Sequence, residues 1–180
     1  MQVITGKYRA RKLKSPDSAR PTLQRIKISL FSMLNFFDFE NAIVLDLFAG
    51  SGALGIECLS RGASHATMVD QDKGAVKCIQ DNLKNIDKKD YQVLNLDHMS
   101  ALKKLRGTTA FDIVFLDPPY AGNLVISCIE IMDRYNLLND GAIIVIETEK
   151  EKDLSLDLEG FSVIKDKTSG PARIIILQKD

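Results

Sequence analysis

Asp117-Pro118-Pro119-Tyr120 follows an apolar run, Ile113-Val114-Phe115-Leu116. The β-branched and aromatic content of that run reads as a buried strand. Neither proline has an N–H to give a ladder, so the strand must stop there. Asp117, placed before a proline, is pushed out of the helical region. A stiff tetrad at the C-terminal end of a strand results, offering a carboxylate, freed backbone carbonyls and an aromatic ring. In an open α/β sheet that end is where ligands bind. The chemistry open to these groups is the preparation of an amine. An exocyclic nucleobase amine is a poor nucleophile because its lone pair is conjugated into the ring. Two acceptors that take its two N–H groups favour a tetrahedral nitrogen and free that pair. Asp117 and the Pro118 carbonyl are the candidate acceptors. Tyr120 offers a stacking face worth about 1–3 kcal/mol per base. Against this stands a plain strand-ending turn with a packed tyrosine, and the tetrad by itself does not separate the two.

A second motif tips the balance. Gly50-Ser51-Gly52-Ala53-Leu54-Gly55 fits G-x-G-x-x-G between a strand and a helix. Alone it is weak, because nicotinamide, flavin and S-adenosylmethionine sites all use such a loop. Its glycines let backbone approach a ligand closely. Asp46, four positions before Gly50, discriminates: a carboxylate there is awkward for a pyrophosphate and suits the cationic amino group and sulfonium of S-adenosylmethionine. Asp70 can accept from ribose hydroxyls, and Asp97 is placed to meet the adenine amine. Either could instead cap the helix that follows. Aspartates at the ends of four consecutive strands (46, 70, 97 and 117) make chance a poor explanation.

These residues need a scaffold, and the pattern supplies one. Residues 21–37 predict a first helix with Leu23, Ile26, Leu30, Met33/Leu34 and Phe37 on its apolar face and Arg25 and Lys27 off it. Strands are predicted at Ile43–Phe48, Ala66–Asp70, Tyr91–Leu96, Ile113–Leu116 and Ala142–Glu147. Helices are predicted at Ala53–Arg61 (closed by Gly62), after the N-cap Asp72, at Met99–Leu105 and at Leu124–Tyr135, the last stopped by Asn139-Asp140-Gly141. Lys150–Glu159 holds the last possible helix. Phe161–Asp166 and Arg173–Gln178 predict a hairpin turning at Thr168-Ser169-Gly170-Pro171. The expected fold is α/β: a doubly wound, mostly parallel seven-stranded sheet with a C-terminal antiparallel hairpin strand. A basic N-terminal arm, residues 1–20, precedes a single domain, residues 21–180. The arm is either a small hairpin or a segment that orders on its partner.

Composition bounds the rest. A chain of 180 residues with 45% hydrophobic content is globular and can bury a proper core. Net charge is zero, yet residues 1–30 carry +7 and the remainder −7. A basic segment on an acidic body points to an anionic macromolecular partner. Cys58, Cys78 and Cys128 form no metal spacing and read as reduced core thiols, as in a cytoplasmic protein. His65 and His98 lack metal-ligand companions, so no metal site is expected. No apolar run approaches the ~18 residues that span a bilayer, and the start of the chain has no signal-peptide core.

The sequence resembles class I S-adenosylmethionine-dependent methyltransferases, and most of all the RsmD family of 16S ribosomal RNA guanine-N2 methyltransferases. The resemblance is carried by Val44 through Gly55 continuing into Ser60-Arg61-Gly62-Ala63, by Arg20-Pro21-Thr22 with Arg25 and Leu30-Phe31, by Gly6-Lys7-Tyr8 through Leu13, and by Asp117-Pro118-Pro119-Tyr120. It covers nearly the whole chain. It implies S-adenosylmethionine as cofactor, held by Asp46, Phe48, Ala49, Gly50, Ser51, Gly52, Asp70, Gln71, Asp97, His98 and Asp117. It implies Asp117, Pro118, Pro119 and Tyr120 as catalytic, and 16S ribosomal RNA or the assembled small subunit as substrate. Lys7, Arg9, Arg11, Lys12, Arg20, Thr22 and Arg25 are the expected RNA contacts, and a monomer is expected. Three positions depart from the family pattern: Ala10 where a glycine is usual, Ile28 near a usual acid, and Gly170-Pro171-Ala172 in the hairpin. Rival readings are a DNA adenine-N6 or cytosine-N4 methyltransferase, for which 180 residues leave no recognition domain, a non-catalytic RNA-binding module and, more remotely, a nicotinamide dehydrogenase.

Overall fold

The computed structural model of the chain describes residues 1–16, 24–118, 123–151, 154, 156 and 158–180. Its strands are β1 (Ile43–Asp46), β2 (His65–Asp70), β3 (Tyr91–Asn95), β4 (Phe111–Leu116), β5 (Leu138–Glu149), β6 (Phe161–Ser169) and β7 (Ala172–Lys179). They form one seven-stranded sheet in the order β3-β2-β1-β4-β5-β7-β6. β1 to β5 are parallel, and β7 is antiparallel to both β5 and β6. This is the expected doubly wound sheet with its C-terminal hairpin. The strand order reverses between β1 and β4, the crevice where such sheets take ligands.

Helices α1 (Gln24–Met33), α2 (Ala53–Ser60) and α3 (Lys73–Asn82) cover one face, and α4 (His98–Leu105) and α5 (Asn123–Arg134) the other. Side chains alternate along each strand. Val44, Ile113, Phe115 and Val145 therefore enter the core under α1–α3, while Leu45, Val114, Leu116 and Ile144 enter the core under α4 and α5. Burial on both faces is why these strands read as continuous apolar runs. Among the described residues no helix is long and apolar enough to cross a membrane, and no cluster of His, Cys, Asp or Glu could hold a metal ion.

Four details differ from the sequence reading. α1 ends at Met33, short of Phe37, because the chain folds back and packs Phe37 against Phe39 (4.9 Å) and Phe39 against Phe31 (5.8 Å). β5 begins at Leu138, so Asn139-Asp140-Gly141 lies inside the strand as an irregularity in its pairing with β4. There the Asp112 carboxylate accepts from Asn139 Nδ2 (2.7 Å) and from the Ile43 N–H (2.8 Å), joining three strands. No helix occurs among the described residues of 150–159; Leu154, Leu156 and Leu158 instead pack on the α4–α5 core at a spacing of two. Lys27, expected off the apolar face, is fully buried.

The N-terminal segment takes the hairpin form. Gln2 pairs with Lys12 in an antiparallel bridge, and Val3 and Leu13 are buried in the α1–α3 core. The turn docks on α2: the Lys7 N–H donates to the Ser60 carbonyl (2.7 Å) and the Tyr8 N–H to Ser60 Oγ (2.9 Å). Gly6 is required there, since a Cβ would lie 1.6 Å from the Ser60 carbonyl oxygen. Ala10 sits at φ 65°, a left-handed conformation that costs an L-residue about 1–2 kcal/mol. A glycine at this position would avoid that cost.

Candidate active site

β1 carries the chain to Asp46, and a tight loop through Leu47–Gly52 delivers it into α2. The loop is pinned at each step. The Leu47 N–H donates to the Phe115 carbonyl (3.2 Å), the Ala49 N–H to Val69 (2.9 Å), and the Ser51 carbonyl accepts from Asn82 Nδ2 (2.9 Å). The Gly50 N–H donates to Asp70 Oδ2 at 2.8 Å, and its φ of 54° is one that glycine takes freely. Gly52, also left-handed, hands over to α2.

Asp46 lies beneath this loop, 2% exposed, accepting from the Gly55 N–H in the first turn of α2 at 3.2 Å. One oxygen thus satisfies a donor that a helix start leaves unpaired. Burial pushes the Asp46 carboxyl up to about 7; the Gly55 N–H pulls against this, and Asp117 and Asp70 add repulsion. Asp70 braces the loop with Oδ2 and accepts the Asp72 N–H with Oδ1 (2.9 Å). The helix cap on that side is Asp72, which accepts from the Gly74 N–H. Asn95 Nδ2 donates to the carbonyls of Asp70 and Gln71, both at 3.0 Å, leaving the Gln71 side chain exposed at the crevice. Asp97 does cap α4, accepting the Ser100 N–H (3.0 Å), and its carboxyl is held below the usual range by Ser100. Beside it the rings of His98 and Phe48 stand 5.7 Å apart, both partly exposed.

The tetrad is partly described. Asp117 and the buried Pro118 follow β4; Pro119 and Tyr120 lie outside the described residues. Asp117 is half-buried, and desolvation raises its carboxyl. Its neighbour is a residue the sequence reading missed. Leu116, the last residue of β4, pairs with Ile146, so Asp117, one residue past β4, comes beside Glu147 of β5, and the two interact. By strand alternation both project to the α1–α3 face, as do Asp46 and Asp70. Burial raises the Glu147 carboxyl and Asp117 raises it further; its Oε2 is buried and has no hydrogen-bond partner among the described residues. Glu147 was visible as a further strand-end acid, but its pairing with Asp117 comes only from register.

Asp46, Asp117 and Glu147 therefore want either protons or a cation. The sign of the pH effect follows. A carboxyl raised in the folded state stabilises at low pH, and that stability is lost as pH rises through the folded value. With Asp46 moving from 3.8 to about 7, this group alone is expected to cost the ligand-free protein about 2.5 kcal/mol between pH 5 and pH 8. Asp46→Asn should remove most of that loss while keeping an acceptor for Gly55. Urea unfolding at both pH values checks it; equal pH slopes for the two proteins would refute it.

The expected RNA contacts fall in two places. Lys7, Arg9, Arg11 and Lys12 ride on the N-terminal hairpin, with Lys7 Nζ 5.3 Å and the Arg11 guanidinium 6.0 Å from the Tyr8 ring. Arg11 also donates to the Lys84 carbonyl at the end of α3. Arg25 is exposed on α1, and Arg20 and Thr22 lie outside the described residues. Lys27, counted in the basic stretch, is neutralised by Glu57 at 2.9 Å.

With this geometry in view, known proteins are informative. The family model described as conserved hypothetical protein 95 matches residues 1–178. Ribosomal RNA small subunit methyltransferase D of Haemophilus influenzae is 36% identical over 174 residues, covering 94% of this chain and 89% of its own. The Escherichia coli protein of the same name is 35% identical over 182 residues, covering 100% and 90%. The solved structure of Escherichia coli yhhF superposes with a TM-score of 0.88 at 34% identity, covering 100% of this chain and 98% of that one. SMU.776, crystallised with SAH, is 16% identical at a TM-score of 0.68 over 86% of this chain and 49% of its own, and so shares the fold alone. The family model and these relatives match this chain from end to end, and it belongs to the conserved hypothetical protein 95 family, the RsmD family of ribosomal RNA small subunit methyltransferases.

Proposed function

We propose that this protein transfers a methyl group from S-adenosylmethionine to the exocyclic N2 amine of a guanine in 16S ribosomal RNA. The observation that carries the reading is the row of strand-end carboxylates around the glycine loop, Asp46 buried and Asp117 and Glu147 half-buried. Asp46, Asp117 and Glu147 are each raised by desolvation, and the Glu147 Oε2 has no partner among the described residues. Such a site fits a cationic ligand, and an uncharged or phosphate-bearing one would leave the acids uncompensated. S-adenosylmethionine, when bound, supplies an electrophilic methyl on a positively charged sulfur.

The residues of the chain do the rest. Asp46 sets a negative field under the loop. Asp70 and Asp97 keep acceptor capacity beyond their structural bonds for ribose hydroxyls and the adenine amine, and Phe48 and His98 wall the adenine side. Asp117 and the Pro118 carbonyl take the two N–H groups of the target amine, and Tyr120 stacks on the base. Two adjacent buried carboxyls cannot both ionise cheaply, so Asp117 and Glu147 share a proton and titrate as a pair. Bound S-adenosylmethionine would supply the methyl and would leave as its uncharged thioether; a carboxylate oxygen of Asp117 is the acceptor for the proton that the amine gives up. Positioning in a dry site supplies most of the rate. A stacked guanine cannot reach a strand-end pocket, so the target sits in a loop or is splayed out.

Ribosomal RNA as the substrate rests on kinship with the small-subunit methyltransferases, and N2 rests on the paired acceptors and the resemblance. The test is incubation with tritiated S-adenosylmethionine and either 16S ribosomal RNA or small subunits from cells lacking the protein, followed by nucleoside mass spectrometry. N2-methylguanosine at one site is expected. Label in adenine or cytosine, label in DNA alone, or no label would overturn the reading.

A further inference from the structure

A second concave surface lies away from the glycine loop, between α1 and the edge strand β6. Arg25, Ser29, Ser32 and Asn35 line one wall, Lys165 and Lys167 the other, and the groove holds about 620 Å³. Among the described residues no carboxylate lines it. The acid between the two lysines, Asp166, points to the opposite face of the sheet, where it pairs with Arg173 at 2.7 Å. Lys165 Nζ is anchored by the Met33 carbonyl at 2.6 Å and lies 4.4 Å from the Phe36 ring. Phe36 and Ile28 are both 48% exposed beside the groove. Three cations, hydroxyl and amide donors, and an exposed aromatic ring match a nucleic acid strand: charge for phosphates and a face for a base.

Its position relative to the acids is set by register. Lys167 pairs with Ile174 of β7, Ile174 pairs with Glu147 of β5, and Glu147 stands beside Asp117. Lys167 and Asp117 are thus at one level on the same face of the sheet, three strand spacings apart, or about 14 Å. That is a few nucleotides of path from the candidate acceptors to the nearest cation of the groove.

We infer that the α1/β6 groove binds the sugar–phosphate backbone of single-stranded RNA flanking the target nucleotide, with Arg25, Lys165 and Lys167 on phosphates and Phe36 against a base. This rests on the reading that the substrate is RNA. The test compares wild type with Arg25→Glu/Lys167→Glu, whose side chains are at the surface, in filter binding to transcribed 16S ribosomal RNA over a salt series. The double variant should bind about tenfold more weakly near 0.1 M salt, with a log–log salt slope shallower by about 1.4, since each lost single-strand phosphate contact removes about 0.7. Calorimetric affinity for S-adenosylmethionine and the melting temperature should not move. Phe36→Ala should weaken binding with no change in slope. Unchanged affinity and slope in the double variant would overturn the inference. So would normal binding to the transcript with lost transfer to assembled subunits, which would assign the groove to a ribosomal protein. If wild type itself neither binds nor methylates RNA, the functional reading falls first and the groove with it; if wild type does both and the double variant matches it, only the groove falls.

Discussion

Asp117→Ala is expected to lower methyl transfer to ribosomal RNA by about 10³-fold, the cost of losing a polar group aimed at the charge that develops in the transition state. Binding of S-adenosylmethionine should survive, because the loop that frames the crevice is pinned by Asp70, Asn82 and the Phe115 and Val69 carbonyls, not by Asp117. The variant separates positioning from cofactor capture: single-turnover rates should collapse while calorimetry still reports a bound cofactor. Glu147→Gln sharpens the comparison. Glutamine resembles the protonated acid, the state that burial and Asp117 both favour at this position. If the pair shares one proton, Glu147→Gln should leave much of the rate and flatten the pH dependence that the pair imposes. Turnover in Asp117→Ala within tenfold of wild type would remove Asp117 from the mechanism.

How much of this could be read along the chain depends on how each feature is encoded. The glycine loop, Asp46, Asp70 and the Asp117-Pro118 step are contiguous signals whose spacing alone places them on strand ends, and the structure sets them at one sheet edge. Glu147 and the Lys165–Lys167 pair are different. Their meaning comes from which strand lies beside which, and β5, β7 and β6 are arranged out of sequence order. Lys27 misleads for another reason. A helical wheel puts a lysine at the surface by default, since a buried ammonium is costly. Only the position of Glu57 on α2 makes its burial tolerable, and burial still draws the Lys27 amine down. Leu154, Leu156 and Leu158 lie in a stretch too charged to show its period, and their packing is decided by the α4–α5 core they cover. The parallel sheet and its terminal hairpin were legible; which side chains meet across β4, β5, β7 and β6 was not.

The same buried ion pair carries the largest stability prediction. Glu57 is fully buried and accepts from four donors: Lys27 Nζ at 2.9 Å, Arg61 Nε at 3.1 Å, and the N–H groups of Ile4 and Thr5 at 2.8 and 3.2 Å. One side chain thus ties α1, α2 and the N-terminal hairpin together. Glu57→Ala strands a buried ammonium and two backbone donors at once, and breaking a buried pair in this way costs about 3–5 kcal/mol. Glu57→Gln should cost less, because it keeps an acceptor for the hairpin while losing the charge. Lys27→Met/Glu57→Gln should recover part of the loss, since the desolvation of both charges is avoided. Urea unfolding of the three variants measures the order. The functional consequence follows from the connections. Arg25 rides on α1, and Lys7, Arg9, Arg11 and Lys12 ride on the hairpin, so Glu57→Ala should loosen both RNA-facing elements. Asp46, by contrast, is held by the Gly55 N–H in the first turn of α2, away from the hairpin. At a temperature where the variant is still folded, RNA affinity should therefore fall further than cofactor affinity. Equal losses of the two would show that α2 responds as a whole and that Glu57 has no separate hold on the basic hairpin.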